Sequence, residues 1–266
     1  IDIEKLISVM ETNKITFDDL RSVLKKFKGT KVHILGDTII DIFTRSIMIG
    51  GQTKTPTISV LKQKDDINIG GAAIVALHMA AAGADVLFSS VVGKDELGNL
   101  LVKEMKKKKI RLNIQIDETR PTTCKNAIVA NGYRLLKVDT LDNRIISKKI
   151  IDTLINKSKK FKNEILIFSD FRHGIFNKDT ISYFKKQLKK KSLICGDSQV
   201  ASRWGNISEF KDFDLITPNE KEVRFSLADQ DSTVGMLAGK LRKSSRFKNL
   251  ILKLGDRGVF CLQIKI

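Results

Sequence analysis

Five short stretches hold residue types that can bind ligands or move charge. Gly36-Asp37-Thr38-Ile39-Ile40-Asp41 sets two carboxylates after a short apolar run. Ile69-Gly70-Gly71-Ala72-Ala73 puts paired glycines where an extended segment passes into a helix. Backbone bare of side chains lets a ligand approach the first N–H groups closely, although a plain strand-to-helix turn closed by Gly83 has the same pattern. Ser169-Asp170-Phe171-Arg172-His173-Gly174 gathers an acid, a cation and an imidazole. In Thr217-Pro218-Asn219-Glu220-Lys221-Glu222 an amide and a carboxylate lie one helical turn apart on one face. That pair suits a hydrated magnesium ion with nucleotide phosphates, and it is equally an acid-rich helix start. In Leu252-Lys253-Leu254-Gly255-Asp256-Arg257-Gly258 two glycines leave room for a nucleotide or form an ordinary β-turn.

These stretches fall at the ends of elements that must position them. Lys31 to Leu35 reads as a buried strand, with Asp37 and Asp41 at its carboxyl end, where α/β folds bind ligands. Asp41 is suited there to accept hydrogen bonds from sugar hydroxyls. A helix follows Gly71, then strand Asp85–Val92, helix Asp95–Lys107 and strand Leu112–Ile116. Further on come helix Ser147–Lys160, strand Glu164–Ser169, helix Asp179–Lys190 and strand Ser192–Gly196. Strand Asp214–Thr217, helices within Asn219–Arg242, and strands Asn249–Leu254 and Gly258–Leu262 complete the alternation. It implies a mostly parallel sheet with helices on both faces. Two β-hairpins break the rhythm: one around Gly50-Gly51, the other around Asn131-Gly132. They are expected over residues 43–64 and 122–139, paired into a small lid. Residues 1–29 carry apolar residues at helical spacing and are expected to form a helical linker or N-terminal extension ahead of a domain spanning 30–266.

The chain has 266 residues, 42% of them hydrophobic, and no apolar run of membrane-spanning length. No signal-peptide pattern is visible, and Cys124, Cys195 and Cys261 show neither paired nor zinc-binding spacing, so a cytoplasmic, reduced setting is expected. The net charge of +18 raises the question of nucleic acid. Its basic runs, Lys106–Lys109, Lys159-Lys160 and Lys185–Lys191, end predicted helices and lack interleaved aromatics. That favours solvated lysines on helix C-termini over a nucleic-acid groove, and a positive field also favours anionic substrates.

The order of the motifs is more telling than any one of them. Gly-Asp-x-x-x-Asp, Gly-Gly-Ala-Ala, Val92-Gly93-Lys94-Asp95-Glu96-Leu97-Gly98, Asn-x-x-Glu and Lys-Leu-Gly-x-x-Gly follow one another along the chain. In this the chain resembles the ribokinase-like (PfkB) carbohydrate kinases, over about residues 30 to 264. It is most similar to the kinase domain of bifunctional heptose-phosphate kinase/nucleotidyltransferases, through Arg120-Pro121-Thr122-Thr123-Cys124-Lys125, Leu135-Leu136-Lys137-Val138-Asp139 and Ser169-Asp170-Phe171.

The resemblance implies a three-layer α/β/α sandwich with a mostly parallel central sheet and a small β-lid. It implies ATP-dependent phosphorylation of a sugar or sugar phosphate, with ATP and Mg²⁺ as cofactors; a non-catalytic sugar- or nucleotide-binding relative is the alternative. Asp41, Gly70, Gly71, Lys125 and Asp170 would line the sugar site. Asn219, Lys253, Gly255 and Gly258 would border the nucleotide, with Asn219 and Glu222 serving magnesium. A homodimer through the lid and an upstream nucleotidyltransferase domain are further implied. Two features depart from the family: Ile74 stands where an asparagine is usual, and no Gly-x-Gly-Asp occurs. The catalytic aspartate of that motif is expected beyond Ile266, in a C-terminal part missing here. Ile1 in place of Met and an unfinished last strand lead to the same expectation of a truncated chain. With the motif missing, poor stability and exposed apolar surface are expected near Asn249–Ile266.

Overall fold

A computed structural model describes residues 3–49, 57–189, 192–199 and 206–263. Its strands are β1 Lys31–Gly36, β2 Thr38–Met48, β3 Val60–Gly71, β4 Asp85–Val92, β5 Arg111–Ile116, β6 Cys124–Ala130, β7 Tyr133–Thr140, β8 Ile165–Asp170, β9 Leu193–Ser198, β10 Leu215–Ile216, β11 Asn249–Lys253 and β12 Val259–Gln263. Its α-helices are α1 Ile3–Thr12, α2 Phe17–Phe27, α3 Ala72–Ala81, α4 Glu96–Lys107, α5 Lys148–Ser158, α6 Lys178–Leu188, α7 Glu220–Leu227 and α8 Val234–Ser245.

Eight strands form the main sheet in the order β12-β11-β10-β9-β8-β1-β4-β5. The β11–β12 pair is antiparallel and the other pairs are parallel. In β1 the alternation of side chains divides the core. Val32 and Ile34 join α3 and α4 on one face, where Ala72, Ala73 and Ala76 bring α3 close to the sheet. Leu35 faces the other way, into a core of Leu154 and Ile155 from α5, Ile181 and Phe184 from α6, and Leu237 and Leu241 from α8. Phe168 meets Phe176 and Phe213 there at ring separations of 5.2 and 5.6 Å. This is the layered α/β arrangement that the strand–helix alternation predicts.

The two hairpins stand apart from the main sheet in a four-stranded sheet of order β3-β2-β6-β7. Its first strand begins earlier than expected. β2 starts at Thr38, directly after β1, and runs to Met48. Asp41 therefore does not lie in a loop at the end of the first strand; it is the fourth residue of a strand in the second sheet. The β-branched residues Thr38, Ile39, Ile40 and Ile42 favour an extended backbone here, and pairing with β3 from Thr38↔Gly71 onward holds it. The Gly50-Gly51 turn lies outside the described residues.

α2 starts at a capping box in which Thr16 and Asp19 bond each other's backbone. Neither α1 nor α2 contains a buried residue. The expectation of apolar exposure around the last strands needs correcting. Leu250 and Leu252 are buried, because Leu237 and Leu241 of α8 cover that face; among the described residues of the segment, Val259 is the large apolar side chain left exposed.

Candidate active site

The motifs, far apart in sequence, meet along the carboxyl edge of the main sheet. Asp37 follows β1 and is 2% exposed. Its Oδ2 accepts hydrogen bonds from the backbone N–H groups of Phe171 (2.9 Å) and His173 (3.2 Å), and its Oδ1 from that of Ile175 (3.2 Å). Its carbonyl accepts the first N–H of α3, from Ala72, at 2.8 Å. One residue thus ties the end of β1 to the start of α3 and to the loop after β8. Burial pushes the Asp37 carboxyl upward from the ordinary carboxylate range, against those three N–H donors and the Arg172 charge.

Asp170, at the end of β8, is turned inward and 1% exposed. It accepts from Arg172 N at 2.7 Å and from Ser198 Oγ at 3.0 Å, and its Oδ2 lies 2.8 Å from Arg172 Nε. Burial lifts its pKa to about 7, with Arg172 acting in the opposite sense. His173 is also enclosed, with Nδ1 3.0 Å from Asn143 Oδ1. Both residues brace the floor of the edge rather than offering open groups.

The line continues across β9, β10 and β11. Asp197, beside Ser198, accepts from Thr217 Oγ1 at 2.9 Å and from Lys253 Nζ at 3.0 Å. Lys253 N donates to Pro218 O at 2.9 Å, which brings Lys253 alongside Asn219. Gly255 and Gly258 bound the turn from β11 to β12, and a Cβ on either would meet nothing within 4 Å. Asn219 and Glu222 form a capping box at the start of α7. The Glu222 carboxylate is 4% exposed and takes Asn219 N and Nδ2, each at 2.7 Å. Both of its oxygens thus serve the helix cap. Among the described residues no group of three or more His, Cys, Asp or Glu is placed to hold a metal ion.

The second sheet presents a different cluster. The register places Asn68, Asp41, Lys125 and Asp139 side by side across β3, β2, β6 and β7. Side chains alternate along a strand, and the neighbouring Ile40, Ile42 and Ile69 pack into the α3 core, so this row faces away from that core. Asp41 and Lys125 are half-buried. Among the described residues no hydrogen bond or ion pair engages either charged group. Burial moves the Asp41 carboxyl up and the Lys125 ammonium down, while their mutual attraction opposes both shifts.

The glycines explain how this cluster is accommodated. A Cβ on Gly70 would sit 2.2 Å from Asp41 Oδ2, so the missing side chain is the space the carboxylate occupies. Gly71 has φ +60°, and a Cβ there would lie 2.4 Å from Asp37 O. Ile74, in the first turn of α3, is half-buried and belongs to neither core. The structure thus brings Asp41, Gly70, Gly71 and Lys125 together, and separately joins Asn219, Glu222 and Lys253. Sequence reading missed Asn68 and Asp139 beside Asp41, and Asp197 beside Lys253. The strand pairing that aligns the first two is absent from any single motif, while Gly196-Asp197 at a strand end was a usable signal for the third.

The pfkB family carbohydrate kinase pattern matches residues 30–265. The chain belongs to the pfkB family of carbohydrate kinases. It is 28% identical over 234 residues to the bifunctional protein HldE of Campylobacter jejuni subsp. doylei, covering 86% of this chain and 49% of that protein. To HldE of Sulfurimonas denitrificans it is 25% identical over 244 residues, covering 89% and 50%. The chain thus spans about half the length of the curated relatives it matches. Escherichia coli phosphofructokinase-2 in complex with fructose-6-phosphate superposes with a TM-score of 0.67 at 16% identity, covering 88% of this chain and 79% of that one. Arabidopsis thaliana ribokinase complexed with ribose and ATP gives 0.67 at 18%, covering 90% and 78%. These two likenesses establish the ribokinase-like fold. No helix among the described residues is long and apolar enough to cross a membrane.

Proposed function

We propose that this chain is the sugar-binding and nucleotide-binding part of a kinase that phosphorylates a hydroxyl of a sugar or sugar phosphate with ATP. The observation that carries the reading is the half-buried Asp41 carboxylate, held over Gly70 and engaged by no hydrogen bond or ion pair among the described residues. Burying such a group unsatisfied is costly, and hydroxyl donors of a sugar would satisfy it. Asn68 and Lys125 flank it, and Gly70 leaves the room its carboxylate occupies.

Lys253, Asn219 and the turn at Gly255 and Gly258 would hold the nucleotide at the far end of the edge. ATP, with Mg²⁺ bridging its phosphates, supplies the transferable phosphoryl group and the charge neutralisation. The chain's own residues bind, orient and exclude water, and the second sheet would close over the sugar as a lid. The 266 residues contain no Gly-x-Gly-Asp, so the reading assigns no base among them. A second domain, a nucleotidyltransferase as in the bifunctional relatives, would join through the exposed helices α1 and α2. The apolar side of the second sheet, with Ile67, Leu136 and Val138 exposed, would pair two copies. A cytoplasmic setting fits these substrates.

Titration calorimetry with sugars and with an ATP analogue plus Mg²⁺ tests the reading. Asp41→Ala is expected to weaken sugar binding by about 10²-fold, the loss of one or two charge-assisted hydrogen bonds, and to leave the nucleotide affinity alone. Equal sugar affinity in the two proteins would remove Asp41 from the site and the reading with it.

A further inference from the structure

The parallel strands of the main sheet all start on the edge opposite the candidate site. Their registers align Lys31 with Asp85, Leu87 with Arg111, Ile165 with Leu193, and Leu215 with Asn249. The helices that lead into them end on the same edge: α4 before β5, α5 before β8, α6 before β9 and α8 before β11. Residues 106–111, 157–162, 185–189 and 242–248 lie at these junctions. Lys or Arg fills more than half of each segment, and Asp or Glu none. The acids at the strand starts are already engaged. Asp85 takes Arg111 Nε at 2.9 Å, Glu164 takes Lys31 N at 3.2 Å, and Asp212 takes Arg246 Nε at 2.7 Å. Asp214 takes Lys248 Nζ at 2.8 Å and Lys189 Nζ at 3.3 Å. Along the chain these cations belong to four separate helix ends; the topology gathers them on one face. We propose that this amino edge is a docking face for double-stranded nucleic acid, held through its phosphates and without regard to base sequence.

Helix ends account for only part of this charge. A cation in the last turn suits the helix dipole, but that benefit ends with the turn. Lys108, Lys109, Arg111, Lys162 and Lys248 lie beyond it. Lys109 and Arg246 occupy left-handed positions, φ +57° and +53°, where glycine is favoured. Crowding shows at Lys185: burial moves its ammonium down, and the Lys189 and Arg246 cations act in the same sense against Asp212 and Asp214. The candidate site does not use this charge either. A strand as long as β1 separates the two edges by about 17 Å, about two Debye lengths at physiological ionic strength. The shape of the face fits a linear polyanion. Its strand starts, spaced about 4.8 Å apart, span about 30 Å, and a duplex presents one charge per ~1.7 Å. Within the four segments Ile110, Leu188 and Phe247 are buried. Phe161 is half-buried, with the Arg111 guanidinium 5.8 Å from its ring centre. The segments thus offer neither a stacking platform for single strands nor an apolar anchor for a bilayer, while backbone contact to a duplex needs neither.

Fluorescence anisotropy with a labelled DNA duplex of about two helical turns tests this. The unaltered chain is expected to bind, with affinity falling about 10²-fold or more between about 50 and 200 mM salt as counterions are released from the contacted phosphates. Lys106→Glu with Lys108→Glu, and separately Lys160→Glu with Lys162→Glu, should each weaken binding at least about tenfold at constant salt and flatten that salt dependence. All four side chains are exposed, and the pairs follow different helices, so one pair tests the proposal if the other folds poorly. Lys94→Glu with Lys178→Glu makes the same charge change at exposed positions on the carboxyl edge and should leave binding nearly as it was. Equal losses from the two edges would reduce the effect to net charge and overturn the proposal, as would no binding at about 50 mM salt. Tighter binding to a single strand of the same length, or binding confined to phosphatidylserine vesicles, gives the face to another partner and overturns it too. Asp41→Ala is expected to leave duplex binding unaltered, so the sugar-kinase reading stands or falls separately.

Discussion

The carboxyl edge of the main sheet and the second sheet are built on opposite plans. Around Asn219, Glu222, Lys253 and Asp197 every charged group named has a partner: the capping box takes Glu222, and Asp197 takes Lys253. Asp41 and Lys125 themselves are half-buried and, among the described residues, engaged by no hydrogen bond or ion pair. The difference follows from the elements. A helix N-terminus presents orphan N–H groups that draw nearby acceptors onto the protein itself. A strand spends its backbone groups on neighbouring strands and projects its side chains sideways, so charges aligned by register can remain free for a ligand. The helix-capped end is thus stable before any ligand binds, while the strand-built end gains its missing partners from the ligand.

Substitutions can break this contrast in graded ways. Gly71→Ala should cost most. It forces φ +60° on a residue with a Cβ and drives that Cβ to 2.4 Å from Asp37 O, a backbone atom that cannot move cheaply. A loss of about 3 kcal/mol is expected by urea denaturation. Asn219→Ala removes the cap and leaves the carboxylate of Glu222 short of one donor, for about 2 kcal/mol. If the capped end is as self-contained as its hydrogen bonds imply, most of that loss will appear in stability measured without nucleotide.

Gly70→Ala should behave in the reverse manner. The atom it meets is the tip of the Asp41 side chain, which can rotate away. Stability should hardly change, whereas sugar affinity falls about tenfold as the carboxylate leaves its position, roughly one hydrogen bond's worth. A stability loss as large as that of Gly71→Ala would show that Asp41 is fixed by the fold and not poised for a ligand.

The smallest effect is a pH dependence. Burial raises the Asp170 pKa to about 7 in the folded state, well above its value in the unfolded chain. Between about pH 4 and pH 7 the folded protein therefore holds a proton that the unfolded chain has released, so this group makes stability fall as pH rises through that window. His33 acts in the opposite sense: burial lowers its pKa to about 3, so its contribution is lost as pH falls below the ordinary imidazole value. Comparing Asp170→Asn with the unaltered protein isolates the contribution of Asp170. The substitution should be less costly at pH 7.5 than at pH 4.5. The reverse order would mean that Arg172 keeps Asp170 ionised throughout.

Much of this was legible along the chain, for identifiable reasons. Strand–helix alternation follows from local hydrophobic periodicity, and the Asn131-Gly132 dipeptide marks its own turn, so the parallel sheet and the second hairpin could be read directly. Gly70 and Gly71 could be picked out because only special backbone demands place two glycines before a run of alanines. Thr16 with Asp19, and Asn219 with Glu222, carried their caps in their spacing. What those last residues would do was open, since a cap and a cation site share one pattern, and the observed hydrogen bonds show the cap.

Tertiary structure alone decided which charges are spent and which are free. Asp37 and Asp41 are four residues apart and chemically identical. One is closed off by three backbone N–H groups from a loop more than 130 residues away, and the other lies in a strand whose neighbours leave it open. Lys125 sits beside Asp41 only because β2 pairs in parallel with β6, a pairing between segments some 80 residues apart that no local propensity encodes. A residue's type determined what it could bind. The register of distant strands determined whether anything in the protein had already bound it.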